Sequence, residues 1–185
     1  MIRVFDILIS IVILLFFSPI IAIISILILF EDGRPIIFKQ LRVGSRGKKF
    51  TIFKFRTMKN STFKDERLRL TFFGKILRKT SLDELPQLIN ILKKEMSIVG
   101  PRPLPEIIEK KIKKSFRTKR RKILPGLTGM SQIHYTGKKR KLADKIKLDI
   151  QLIDNYNIYN YFKILLKTPI ALIIRFFKNK SSIIE

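Results

Sequence analysis

Hydrophobic and polar positions divide the chain into three stretches of different texture. From Ile7 to Phe30 no residue is charged, and Asp6 and Glu31 bracket the run. As one straight helix it would measure about 36 Å, enough to cross a hydrocarbon core of about 30 Å. Its length, and the lack of a small-x-small site after it, do not suit a cleaved signal peptide. Ser18-Pro19 falls at the centre and divides the run into halves of about 16 Å, each half a bilayer deep. Pro19 cannot donate to the carbonyl of Leu15 and its ring crowds that turn, so a kink is predicted here. The Ser18 hydroxyl can bond back to a carbonyl one turn earlier and partly satisfy the break. Two topologies fit: a kinked helix that spans, and a helix-break-helix that dips into one leaflet and returns. Under either, the many Lys and Arg after residue 33 place the main body in the cytoplasm.

Beyond the turn signal Glu31 to Pro35, the period shortens. Ile36 to Val43 and Phe50 to Met58 alternate like β-strands, with Gly44-Ser45-Arg46-Gly47 as a hairpin loop. Lys54 and Arg56 lie opposite Phe53 and Phe55, so both cations project from one strand face, either solvated or turned to a ligand. Arg67 to Lys79 reads as a basic helix with an apolar stripe of Leu68, Phe72, Ile76 and Leu77 or Phe73. Pro125 to Gly129 reads as a tight turn. From Ile150 to Phe177, aromatic and aliphatic residues alternate with Lys163, Lys167 and Arg175, and Pro169 divides two amphipathic pieces. Such pieces suit a bilayer interface, or a core inside the domain. The expected fold is α/β and mostly helical: a membrane segment over 1–32, a cytosolic domain with a short antiparallel hairpin over 33–150, and amphipathic, membrane-facing helices over 151–185.

At 185 residues there is room for one compact domain beside the membrane element. With no cysteine, disulfides and thiolate metal sites are excluded. The formal charge of +25 calls for a polyanionic neighbour. Part of it is compositional, because abundant Lys and Ile with only three alanines is what an AT-rich genome encodes. The remainder attracts anionic headgroups, at about 1 kcal/mol per cation near the surface. Lys110 to Lys122 is basic at nearly every position, as a solvated face or as a grip on headgroups or nucleic acid. His134 is the sole histidine, so no His-based metal site or Ser-His pair can be assembled. No P-loop or GxGxxG appears.

The chemistry concentrates between Leu77 and Pro105, LRKTSLDELPQLINILKKEMSIVGPRPLP. The adjacent carboxylates Asp83-Glu84 stand where a helix begins, after a basic segment. One reading is a capping box, Ser81-x-x-Glu84, which needs no chemistry. It would make Pro86 the fifth helical residue, where its ring and missing N–H cost stability. A helix starting at Asp83 makes Pro86 the third, where the N–H is orphaned anyway, and puts Asp83 at the positive end. Carboxylates among cations there suit phosphate-ester chemistry, as nucleophile, base or metal ligand. Pro101 and Pro103 hold Arg102 in a rigid turn, and arginine suits bidentate phosphate.

Several motifs in order, Ser18-Pro19, GRPIIFKQLRVG (33–44), FKFRTM (53–58), LRKTSLDELPQL, MSIVGPRPLP and LPGLTG, resemble the bacterial sugar transferases, the monotopic phosphoglycosyl transferases. The resemblance runs from Ile2 to about Asn155, and the chain looks like the small single-domain form. It implies a re-entrant membrane helix and a site on the cytosolic face of the bacterial cytoplasmic membrane. It implies transfer of a phosphosugar from a UDP-sugar to a polyprenyl (undecaprenyl) phosphate, with release of UMP, as the first membrane-committed step of glycan assembly. By the match, Asp83 is the nucleophile and holds Mg²⁺, Glu84 assists, and Lys54, Arg56, Arg78 and Arg102 meet the diphosphate and nucleotide. Pro101 and Pro103 shape that wall. Asp149 aligns with a common family aspartate, whereas the stretch after Gly129 follows the family loosely and His134 stands where asparagine is common. Expected partners are the donor, the acceptor and the bilayer but no nucleic acid, with a homodimer allowed. The alternative is a membrane-anchored basic nucleic-acid binder or scaffold without catalysis.

Overall fold

The computed structural model describes residues 1–59, 69–134 and 141–178, apart from the side chain of Lys178. The apolar run forms two helices, α1 (Ile2–Phe16) and α2 (Ser18–Asp32), bent by 62° at Phe17. Pro19 sits in the first turn of α2, where its missing N–H is not needed. Ser18 Oγ donates to Leu15 O at 2.8 Å, satisfying the very carbonyl that Pro19 abandons. Among the described residues no single helix is long and apolar enough to cross a membrane, but this bent pair is so in sum.

The expected hairpin forms as β1 (Ile37–Val43) against β2 (Lys49–Phe55), antiparallel, with Phe38 facing Lys54. Arg46 and Gly47 take positive φ in the loop between them. The basic helix is α3 (Phe72–Thr80); Arg67 and Leu68 lie outside the described residues. Its stripe divides: Leu77 is buried, while Phe72 and Ile76 face outward. A 3-10 turn (Leu82–Glu84) leads into α4 (Gln87–Leu92) and then β3 (Ser97–Val99). The basic run is broken into α5 (Glu106–Lys110) and α6 (Lys114–Arg120).

Two expectations are corrected. Pro125 to Gly129 is not a turn: Gly126–Thr128 forms β4, parallel to β3, because Gly126 lets the strands approach as no side chain would allow. Pro169 does not divide the C-terminal segment. After α7 (Met130–Ile133), the break falls at Asn155, between α8 (Leu142–Asp154) and α9 (Ile158–Lys178), and Pro169 lies inside α9. One missing N–H is tolerated there because α9 is held by packing, with Tyr161 and Ile164 in the core.

That core draws on all parts of the chain. Phe50 and Ile52 of β2, Leu88 and Ile91 of α4, β3, Leu152 of α8 and Tyr161 and Ile164 of α9 pack together, with Ile2, Ile9 and Ile13 of α1 against them. Ile24 and Ile28 of α2 pack with Phe55 and Leu77 in a second cluster. Polar bonds fasten the same helices. Buried Asp6 on α1 accepts from Ser97 Oγ (3.0 Å), Ile98 N (2.8 Å) and Tyr161 Oη (2.8 Å) through one oxygen. Glu31, near the end of α2, accepts from the first backbone N–H groups of α3, an N-terminal position that favours a carboxylate. Outward, α1, α2 and α9 show apolar side chains, including Val12, Leu15, Phe16, Ile23 and Phe30 on the bent pair. On α9, Tyr159, Leu166, Ile170, Ile173 and Phe177 recur on one helical stripe, so this helix serves core and surface at once.

Candidate active site

Asp83 and Glu84 occupy the 3-10 turn between α3 and α4. Ser81 takes φ 60° as the last residue after α3, and its side chain caps nothing. The capping-box reading therefore fails. The expected helix start at Asp83 also shifts: the α-helix begins at Gln87, with Pro86 immediately before it. The positive φ at Ser81 turns the chain away from α3 before Pro86 can start α4, and the dyad is left in the corner. Both carboxyl groups face β2 and the Gly100-Pro101-Arg102-Pro103 segment.

Cations hold Glu84 more closely than Asp83. Glu84 Oε1 accepts from Lys54 Nζ at 2.7 Å and from Arg102 Nη2 at 2.9 Å. Burial would raise the Glu84 carboxyl, but Arg102 and Lys54 outweigh it and hold it well below the usual carboxylate range. Lys54 Nζ lies 3.9 Å from Asp83 Oδ2. Burial, then the Glu84 charge, pushes the Asp83 carboxyl up to about 6, against the opposing pull of Lys54, Arg78 and Arg102. Two adjacent acids thus have environments that drive them apart, the pattern of groups with different chemical tasks.

Of the expected phosphate ligands, Lys54 and Arg102 meet at the dyad. Arg78, in the last turn of α3, donates from Nε to Thr57 Oγ1 at 2.9 Å. Arg56 is not brought to the dyad. Its guanidinium reaches the end of α2 instead, donating to Asp32 O (2.6 Å), Gly33 O (2.7 Å) and Arg34 O (3.1 Å), with Asp32 Oδ2 at 3.0 Å. Lys54 and Arg56 do leave the chain on one side, but β2 ends between them and their heads part.

The turn carrying Arg102 is held by its backbone. Four consecutive carbonyls each accept from a different residue: Pro101 O from Gly126 N (3.0 Å), Arg102 O from Arg120 Nη2 (2.7 Å), Pro103 O from Arg42 Nη1 (3.2 Å) and Leu104 O from Val43 N (3.1 Å). Arg120 in turn pairs with Asp149 of α8, and both are buried. Burial raises the Asp149 carboxyl despite Arg120 and Ser131. No local signal near residue 102 identifies Arg42 or Arg120; only the tertiary fold brings them there. His134 bonds to Met130 O within its own helical turn.

Part of the basic run is occupied. Arg121 donates to Glu109 through two nitrogens, Lys119 pairs with Asp154, and Lys110 with Glu106. These contacts leave less free charge for a polyanion than the composition suggests.

Among the described residues, no cluster of three or more acidic, His or Cys side chains could cage a metal. Asp83 has Lys54 Nζ at 3.9 Å, whereas its neighbour Glu84 is hydrogen-bonded by two cations. One available carboxylate suits Mg²⁺ arriving with a diphosphate, since that ion keeps several waters and needs one or two carboxylates beside substrate phosphates.

A family model described as bacterial sugar transferase matches residues 1–175. The chain is 39% identical over 178 residues to the "Uncharacterized sugar transferase EpsL" of Bacillus subtilis (strain 168), covering 90% of this chain and 84% of that one. It is 35% identical over 193 residues to the UDP-glucose:undecaprenyl-phosphate glucose-1-phosphate transferase of Klebsiella pneumoniae, covering 97% of this chain but 41% of that one. To the UDP-N-acetylgalactosamine-undecaprenyl-phosphate N-acetylgalactosaminephosphotransferase of Aeromonas hydrophila it is 34% identical over 174 residues, covering 88% and 41%. It thus spans most of EpsL and about two-fifths of the two phosphotransferases. An Asp-Glu corner flanked by Lys54 and Arg102 lies inside the matched region, and the chain belongs to the bacterial sugar transferase family.

Proposed function

We propose that this transferase moves a sugar 1-phosphate from a UDP-sugar to undecaprenyl phosphate, with Asp83 as nucleophile. The observation that carries the reading is the contrast within the dyad: a Glu84 hydrogen-bonded by two cations beside a buried Asp83 whose ion pair with Lys54 is longer, at 3.9 Å, and whose carboxyl is pushed up to about 6. Relatives named as undecaprenyl-phosphate sugar phosphotransferases support the substrate classes.

In the first step an Asp83 oxygen bonds to the sugar-linked phosphorus. The bond from that phosphorus to the nucleotide's bridging oxygen breaks, and its electron pair leaves with UMP. In the second step an acceptor phosphate oxygen attacks the same phosphorus, and the bond to Asp83 breaks to restore the carboxylate. Division into two displacements lets a soluble donor and a lipid acceptor use one site in turn. Lys54 and Arg102 neutralise and orient the diphosphate, so positioning and charge carry most of the catalysis. Mg²⁺, held by Asp83 and substrate phosphates, would supply further neutralisation of phosphate charge. Glu84 keeps the two cations in place.

The apolar outer faces of α1, α2 and α9 support a seat in one leaflet of the cytoplasmic membrane, with the dyad on the cytosolic side. The 62° bend fits a re-entrant path as well as a broken span, and the Ser18-Pro19 resemblance favours the re-entrant one. Acceptor-dependent UMP release from a panel of UDP-sugars, compared with Asp83→Asn, tests the reading. Release that survives the substitution removes Asp83 as nucleophile, and no release from any donor overturns the reaction.

A further inference from the structure

The cleft beside the dyad has more donors than acceptors. Arg42, Lys54, Gln87 and Arg102 line it with Glu84, so three cations and an amide face one carboxylate. Gln87 is the first residue of α4 and 2% exposed, yet its Nε2 has no hydrogen-bond partner. Arg42 donates from Nη1 to Pro103 O and from Nη2 to Gln40, which leaves its buried Nε without an acceptor. Burial, then repulsion from Arg102, lowers the Arg42 guanidinium to about 10, against the pull of Glu84. A buried donor without an acceptor costs stability. Two of them on the wall of one cleft, among cations, call for ligand oxygens.

The cleft takes in Glu84 but not Asp83. An in-line displacement at phosphorus puts the attacking and leaving oxygens on opposite sides. An attack from Asp83 therefore directs the departing group to the far side. We propose that Gln87 Nε2 and Arg42 Nε bind the phosphate oxygens of the leaving nucleoside monophosphate. This rests on the transferase reading above. As the bond from phosphorus to the bridging oxygen breaks, negative charge grows on the nucleotide phosphate, where two fixed donors stabilise it. Arg42 also holds the carbonyl of Pro103, so it joins this phosphate site to the turn that carries Arg102.

The test uses the full chain in lipid nanodiscs, with UMP as product inhibitor. Gln87→Met is expected to weaken UMP inhibition about tenfold, since a hydrogen bond to a charged group is lost. Its thermal midpoint is expected to stay or rise, because an unsatisfied buried amide has been replaced by an apolar chain. Arg42→Lys, which keeps the charge but loses Nε, is expected to weaken UMP inhibition as well, and it decides the matter if Gln87→Met does not fold. The KM for undecaprenyl phosphate should stay as in wild type. UMP inhibition untouched by both substitutions, while wild type still releases UMP, overturns the proposal and keeps the transferase reading. A raised KM for undecaprenyl phosphate with unchanged UMP inhibition assigns the donors to the acceptor and also overturns it. No UMP release by wild type from any donor overturns the transferase reading, and the proposal with it.

Discussion

Arg102 places Nη2 2.9 Å from Glu84 Oε1, the same oxygen that Lys54 holds at 2.7 Å. Glu84 therefore anchors a cationic pair, and under the proposed reaction Asp83 is the reactive carboxylate. Removing either acid should have a different signature, and the difference can be measured.

Burial and the Glu84 charge push the Asp83 carboxyl up to about 6, from an ordinary 3.8. Between those values the folded protein binds more protons than the unfolded one. Stability from this group therefore falls as pH rises from about 4 to 6 and is level above. In EDTA, Asp83→Asn should gain on wild type across that window, as read by thermal unfolding. Glu84→Gln should move the window down, because the Glu84 charge helps raise Asp83. Parallel pH curves for wild type and Asp83→Asn would contradict the assignment. In turnover, Asp83→Asn should lose at least about a thousandfold.

Asp149 and Arg120 are 2% and 7% exposed, so removal of one partner leaves the other charge buried. Asp149→Asn should cost about 3–5 kcal/mol, whereas Asp149→Leu combined with Arg120→Met should recover much of it. Arg102 O loses its 2.7 Å donor in the double variant, which lacks the Arg120 guanidinium. The double variant should therefore be stable but show a raised donor KM. Differential scanning calorimetry and steady-state kinetics separate the two effects.

A Cβ at Gly126 would stand 2.1 Å from Gly100 N and 2.5 Å from Thr128 O, both backbone atoms. Gly126→Ala should destabilise by more than about 4 kcal/mol, since β3, β4 and the Arg102 turn must separate. Gly33, at φ +69°, has nothing within 4 Å of such an atom. With ψ at −157° this backbone is nearly reserved for glycine, so Gly33→Ala should cost about 1–3 kcal/mol of backbone strain without any clash. Denaturant midpoints of the two variants provide the comparison.

The chain has no cysteine, so single introduced cysteines report without background. Val4 is 58% exposed near the start of α1, and Arg34 is exposed just after α2. With a re-entrant path, Val4→Cys and Arg34→Cys should both react with an impermeant maleimide from the cytosolic side alone. Labelling of Val4→Cys only from the opposite side would establish a span.

Local chemistry made some features legible in the sequence. The Ser18-Pro19 break, and even the bond from Ser18 back to Leu15, follow from proline lacking an N–H. The hairpin followed from alternation, and Lys54 and Arg102 stand beside the dyad as expected. What stayed hidden depends on residues far apart in the chain. Arg56 is drawn to the carbonyls ending α2, and the Arg102 turn is held by Arg42 and Arg120. Pro86 and Ser81 misled for a related reason: a positive φ at Ser81 converts an apparent helix start into a corner.

Asp6 fastens α1 to β3 and α9, and Glu31 and Arg56 fasten the end of α2 to α3 and β2. A protein joined at both ends of its apolar helix pair would not sit on a membrane as a head on a leash. Seated as proposed, its described residues would offer no hinge with which to rise from the surface or sweep an area above it. Its dyad would ride at one fixed height, so a lipid carrier would have to arrive by sliding sideways in the leaflet. Deleting the helix pair to make a soluble enzyme would remove a wall of the core itself.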